Sequence, residues 1–250
     1  MKPLVVLFLL IATGGALSAR AGANATREEL PRPHPAPSAP GLKHGNTWKG
    51  IFLGFSKLQG SNWKDYTGEM EVDWSRSFAL HVNFDDYILA RNATGRNRLV
   101  SGYGLEYTRY CFDRDITIRR YANGNISLVP LADLNVTDPR RSVFKTLYLT
   151  VPLLAEFQSA GGRFSLALGV VGGARLHSKT KIVHDDHGKR KIKKTGSYTM
   201  YPFKADVTAR ARIGFLTVWA TRSLTPLFNP RKAPARVYPF TIGFGFTPRM

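Results

Sequence analysis

Two alternating stretches between residues 145 and 175 limit the fold of this chain more than any other feature. They read KTLYLTVPLLAEFQ and RFSLALGVVGGAR, joined by SAGG. In the first, Leu147, Leu149, Val151, Leu153, Ala155 and Phe157 fall on alternate positions. Thr146, Tyr148, Thr150, Pro152, Leu154 and Glu156 lie between them. In the second, Phe164, Leu166, Leu168 and Val170 alternate with Arg163, Ser165, Ala167 and Gly169. Successive side chains of a strand point to opposite faces, so period two marks strands. The four residues 159–162 form the turn, with glycine supplying the positive φ a tight turn needs. The result is a hairpin with one strongly apolar face and one small or polar face. Ordinary strands average about five or six residues. Crossing a bilayer obliquely takes about 9–11, which these stretches reach. A hairpin of a soluble β-sandwich is the competing reading, and the rest of the chain decides between them.

Alternation recurs along the sequence. Further strands are expected at 48–56, 74–84, 99–112, 203–213, 215–224 and 237–246. The last carries Tyr238, Phe240, Ile242, Phe244 and Phe246 on one face. The connections 57–73, 113–142, 176–197 and 225–236 are long, whereas 159–162 and Gly214 are very short. Only 85–98, read as a connection, breaks the alternation of long and short. Long loops on one side and tight turns on the other belong to an outer-membrane barrel. The expected fold is therefore all-β: a transmembrane antiparallel up-and-down β-barrel of about eight strands. Within the long connections, 116–118 and 126–129 are expected to prolong a barrel hairpin, and 177–197 to form a basic loop.

Composition narrows the class. Hydrophobic residues make up 43% of the 250, and no later segment approaches the length of a membrane helix. If the mature chain sits in a membrane, it does so as a closed barrel, because only helices and barrels satisfy their backbone groups in lipid. Cys111 is the single cysteine, so no internal disulfide forms. Stability without disulfides would come from closing the sheet on itself, which leaves no free edge. Lys2, the apolar run 4–12 and the small residues Ser18, Ala19 and Ala21 read as an export signal over 1–21. Residues 22–46, with Pro31, Pro33, Pro35, Pro37 and Pro40, read as a disordered leader, and 47–250 as the barrel domain.

Charged residues gather on the non-apolar face: Glu106, Glu156, Arg163, Arg175, Lys204, Asp206, Arg210 and Arg212. Eight strands leave an interior just wide enough for side chains to fill. Paired charges there would plug and stiffen the barrel, since a lone buried charge is costly. The functional alternative is an anion-selective pore or a proton path. No catalytic, cofactor-binding or metal-ligating residue stands out. His184-Asp185-Asp186-His187 lacks the ligand spacing of a zinc site. The following run, Lys189, Arg190, Lys191, Lys193 and Lys194, carries no stacking aromatics, so nucleic acid is not the expected partner. Its charge suits anionic lipopolysaccharide instead. The sequons at Asn24, Asn92, Asn125 and Asn135 would suggest glycosylation in a eukaryotic secreted protein and mean little in a bacterium. Gly169, Gly172 and Gly173 lie within a strand and form no phosphate loop.

In SGYGLEYTRYCF (101–112), KTLYLTVPLLAE (145–156), the strand 164–173 and SLTPLF (223–228), the chain resembles a known family. It is similar, over roughly residues 47–246, to the outer-membrane β-barrel domain proteins of Bacteroidetes type, some labelled PorT-like. The resemblance implies a small barrel in the outer membrane of a Gram-negative bacterium, inserted by the barrel-assembly machinery, with no enzymatic chemistry. Such barrels usually end on an aromatic residue; here Phe246 is followed by Thr247, Pro248, Arg249 and Met250. The expected role is structural, surface-binding or in envelope and secretion assembly. Its partners would be outer-membrane lipid and lipopolysaccharide. The rivals are a barrel enzyme acting on lipid or peptide and a secreted basic β-protein binding polyanions.

Overall fold

The computed structural model of the chain describes residues 47–60, 72–113, 115–134, 136, 139–185, 189–196, 198–233 and 235–247. The expected signal and leader, 1–46, lie outside the described residues. Among the described residues, eleven strands follow one another: β1 (Gly50–Gln59), β2 (Phe78–Arg91), β3 (Asn97–Cys111), β4 (Ile116–Arg120), β5 (Ile126–Pro130), β6 (Pro139–Gln158), β7 (Phe164–Asp185), β8 (Lys189–Thr195), β9 (Phe203–Ile213), β10 (Leu216–Ser223) and β11 (Tyr238–Phe246). Eight close into a barrel, every neighbouring pair antiparallel, in the order β1-β2-β3-β6-β7-β9-β10-β11. The circle shuts where β1 meets β11, from Ile51 opposite Phe246 to Gln59 opposite Tyr238. The all-β, eight-stranded, up-and-down barrel expected from alternation is the fold observed.

Three differences from the expected elements have physical causes. Residues 85–98 are mostly strand. β2 runs on to Arg91 and β3 begins at Asn97, leaving the short turn 92–96. Two β-bulges, between Asn83 and Asp85 and between Ile88 and Ala90, break the period-two pattern there and hide the strand from it. With this correction, every even-numbered connection of the barrel is short. The segments around 116–118 and 126–129 form their own two-stranded sheet, β4–β5, rather than prolonging a barrel hairpin. Part of 177–197, read as a loop, is an extension of β7 paired with β8, from Lys179 opposite Thr195 to Asp185 opposite Lys189.

Burial is inverted relative to a soluble sheet. Leu149, Val151, Leu153 and Phe157 on β6 are exposed, while Thr146, Thr150, Glu156 and Gln158 beside them are buried. Val218 is 52% exposed and Val170 45%, whereas the adjoining Thr217 is 0% and Val171 5%. The apolar side chains form a belt on every barrel strand. Soluble monomers rarely expose contiguous apolar patches beyond a few hundred Å². A belt on all eight strands suits contact with hydrocarbon, with the polar alternates turned inward.

The short-turn end is built from local rules. Gly162 and Gly214 adopt φ of 64°, the left-handed conformation that side chains resist. Ser159 accepts the Gly162 N–H at its carbonyl and the Phe164 N–H at its hydroxyl. The Asn92 carboxamide accepts from Asn97 N and Thr94 Oγ1, so this sequon side chain serves as a turn cap.

Candidate functional site: a filled lumen beneath an ordered loop cap

The lumen is filled in three layers. Nearest the short turns, Arg98 on β3 meets Glu156 on β6 at 2.5 Å, both side chains almost fully buried. Their strands pair with Arg98 opposite Glu156, so the contact is fixed by register. Thr47 Oγ1 donates to the other Glu156 oxygen at 3.2 Å. Here the chain's own Thr47 and Trp48 enter the barrel and are buried to within 1%. Asn83 Nδ2 donates to the Trp48 carbonyl, and Arg210 Nη1 to that of Thr47.

Arg210 has aromatic surroundings. Its guanidinium lies 4.4 Å from the Trp48 ring, 4.7 Å from Phe52 and 5.9 Å from Trp219. A weakly hydrated, planar cation suits such a box, where ring quadrupoles offset part of its lost hydration. Gly54 makes the space: a Cβ there would sit 2.9 Å from Trp219 Cζ2. Arg212 ties the turns together. It donates to the carbonyls of Gly214 and Gly162 and to Ser165 Oγ.

The middle layer centres on Lys204. Its Nζ lies 2.6 Å from Glu106 and 2.7 Å from Asp206, over the Tyr148 ring at 4.7 Å. Ser223 Oγ donates to Asp206 at 2.6 Å, and Thr108 Oγ1 to Glu106 at 3.3 Å. His81 Nε2 stands 3.7 Å from Glu106, its ring against Trp219.

Of the eight residues expected to share the lumen, the structure brings Glu106, Lys204 and Asp206 into one cluster. Glu156 and Arg210 are joined through Thr47, and Arg212 is held at the turns by Gly214, Gly162 and Ser165. Arg175 is half-buried opposite the lumen-facing Tyr148. Arg163 is a correction: it is exposed in the turn before β7. Alternation was carried one residue past the strand's end, where the turn sets direction instead. Sequence reading missed Arg98, the partner of Glu156, because 85–98 was read as a connection. Carrying the Glu106, Gly104, Gly102 face back two more steps would have reached Val100 and then Arg98. Trp48 and Trp219 carried no signal that distinguished them from belt aromatics.

Above the charges, apolar residues close the barrel. Phe144, Phe228, Leu128, Tyr148 and Tyr198 belong to one buried cluster that draws on both barrel and loop segments. Phe144 packs on Tyr198 and Phe228 at ring distances of 5.5 and 5.8 Å.

The loops above are stitched into one cap. Tyr198 and Thr199 take φ of 43° and 52°, values non-glycine residues seldom adopt. The strain is held by bonds on both sides. Tyr198 Oη is 2.6 Å from Thr180 Oγ1, Thr199 Oγ1 donates to the Gly124 carbonyl, and Asn229 N donates to that of Thr199. Ile126 N donates to Lys232 O, and Lys232 Nζ to Asn123 O. On the first loop, Asp73 caps a short 3-10 turn at Trp74–Arg76. The Ser75 hydroxyl bond holds its carboxyl below the usual range.

Between the β4–β5 sheet and the β7–β8 extension lies a cavity of about 430 Å³. Ile118, Ile182 and Ile192 line it, with Arg119 and Arg120 on its wall. The adjoining hairpin carries Lys179, Lys181, Lys189, Arg190, Lys191, Lys193 and Lys194 on two paired strands. In the HDDH segment, His184 is buried opposite Arg190, whereas Asp186 and His187 lie outside the described residues.

No family model matches the chain, and no curated protein does. Among solved structures, the chain is similar to a crystal structure of Ail, the attachment invasion locus protein of Yersinia pestis, in complex with the heparin analogue sucrose octasulfate. Identity is 12% and the TM-score 0.35, over 79% of this chain and 95% of that one. At that level the likeness adds nothing to the fold, which rests on the chain's own closed register.

Proposed function

We propose that the chain is an integral outer-membrane barrel that works through its loop cap, holding acidic polymers of the cell surface such as lipopolysaccharide. The filled lumen carries this reading. Two buried charge clusters and an apolar lid leave the interior no use as a channel, so chemistry available to partners lies on the loops. The described parts of those loops are hydrogen-bonded to one another, two of the loops, 176–197 and 225–236, are strongly basic, and all rise from a rigid support, the arrangement by which scaffolds present binding residues. The short turns face the periplasm and the long connections face outward. The reading assigns no reaction to the protein. Export by the signal, insertion by the barrel-assembly machinery, and membership among PorT-like proteins with a part in envelope or secretion assembly belong to the same proposal. The last of these rests on motif resemblance.

The test replaces Lys189, Arg190, Lys191, Lys193 and Lys194 together with Gln. Binding of purified lipopolysaccharide to protein in detergent is then measured at low and high salt. The expected result is a salt-sensitive affinity in the wild type and loss of at least ten-fold in the variant, since counterion release makes polyanion binding steeply charge-dependent. Unchanged binding would sink the assignment.

A further inference from the structure

The apolar belt ends toward the loops in a row of cations. On β3, β6 and β7, Arg109, Lys145 and Lys179 stand directly opposite one another across adjacent strands. All three share the outward face, in line with Tyr107 and Leu147 one step below. Neighbouring strands lie about 4.8 Å apart, so the row spans about 10 Å. Like charges placed opposite in a sheet repel, and none of the three has an ion pair among the described residues. Arg109 lies over the Phe78 ring at 5.7 Å and Lys145 over Tyr107 at 5.6 Å. The Arg109 Nε is buried yet finds no acceptor among the described residues. A second basic pair borders the belt across the barrel: exposed Lys57 and Arg222 both lie opposite Phe240. The nearby described carboxylate, Asp73, is already paired with Arg76 at 3.2 Å.

A row of repelling cations, one with a buried unsatisfied donor, lies where hydrocarbon gives way to headgroups. We infer that the row of Arg109, Lys145 and Lys179 binds the phosphate of an anionic lipid in the loop-side leaflet. A phosphate over the middle strand, β6, would accept from Arg109 and both lysines and relieve their repulsion, while its acyl chains lie along Leu147, Leu149 and Val151 below. Basic and aromatic residues at this depth are suited to that boundary. This site meets the cap hairpin only at its first pair, Lys179 opposite Thr195, uses none of the cations on β8, and rests on the membrane-spanning reading.

The experiment reconstitutes purified protein into vesicles of phosphatidylglycerol and phosphatidylcholine at equal amounts. The protein is withdrawn with a small annulus of lipid, and the ratio of the two lipids it retains is measured. The wild type retains phosphatidylglycerol several-fold above the bulk. Each cation near an anionic surface contributes a factor of about five. Arg109→Gln, Lys145→Gln and Lys179→Gln combined bring the ratio back to bulk, and Lys145→Arg with Lys179→Arg keeps it. The cap variant described above leaves the ratio unchanged. Variants are compared only after their heat-modifiable gel shift shows a folded barrel; should the triple variant not fold, Lys179→Gln alone must lower the ratio. A wild type that inserts with no enrichment, or a folded variant that keeps it, overturns the inference alone. A wild type that does not insert overturns the membrane reading with it. Enrichment lost only in the cap variant assigns lipid binding to the hairpin instead and overturns the row.

Discussion

At the residue scale, Arg98 and Glu156 show what barrel closure demands of individual side chains. Each is buried beside the other, so removing one strands a charge where water does not reach. Glu156→Ala is expected to destabilise the barrel by about 3–5 kcal/mol. The readout is a lower temperature for loss of the compact band on an unboiled detergent gel. Replacing both members with apolar residues, Arg98→Met with Glu156→Leu, should recover most of that loss, because buried pairs often tolerate apolar replacement of similar volume. If the double variant is no more stable than the single one, the pair is not the unit of stability described. Glu156 was legible in the sequence as a carboxylate on the polar face of an apolar strand. Arg98 was not, because bulges in the neighbouring strand had disguised its segment. Arg163 was misplaced for the opposite reason: periodicity says nothing about where a strand stops.

At the element scale, strand number, direction and inside-out faces were readable because one physical rule, period two, governs all of them. The β4–β5 sheet and the β7–β8 extension were harder. The β4–β5 strands bury both faces and so lose a single apolar face, and the extension is too rich in lysine to show one. Their lysines look like a solvated loop in sequence and like paired strands in space. Replacing 181–193 with a two-residue type I′ turn should leave the barrel's heat-modifiable shift intact, since the eight-strand register closes without β8. Loss of the shift would make the extension part of the fold. The turns are less tolerant. Gly214→Val places a β-branched side chain at positive φ and should cost about 1–3 kcal/mol, read as a lower melting temperature of the gel band.

At the scale of the whole molecule, the layers along the axis set what the protein can do. A salt-bridged base, a lysine-centred middle and an aromatic lid fill the axis, and the proposed function takes the barrel as a support for loops rather than a conduit. In planar bilayers, purified protein should give no steady single-channel current, and Glu156→Ala should lower stability without opening one. The family resemblance pointed to an outer-membrane barrel and said nothing of the cap, whose contacts join residues as distant as Thr199 and Gly124. Such contacts are set by tertiary packing and leave no periodic trace.

The inside-out arrangement of the strands underlies all of this, and labelling tests it directly. With Cys111 replaced by Ser, single cysteines at 149 to 156 on β6 would carry an environment-sensitive fluorophore in vesicles containing chain-brominated lipid. Strong quenching at 149, 151, 153 and 155, with little at 150, 152, 154 and 156, is the result expected. Uniform quenching, or none at the odd positions, would contradict a lipid-facing belt around a filled polar lumen.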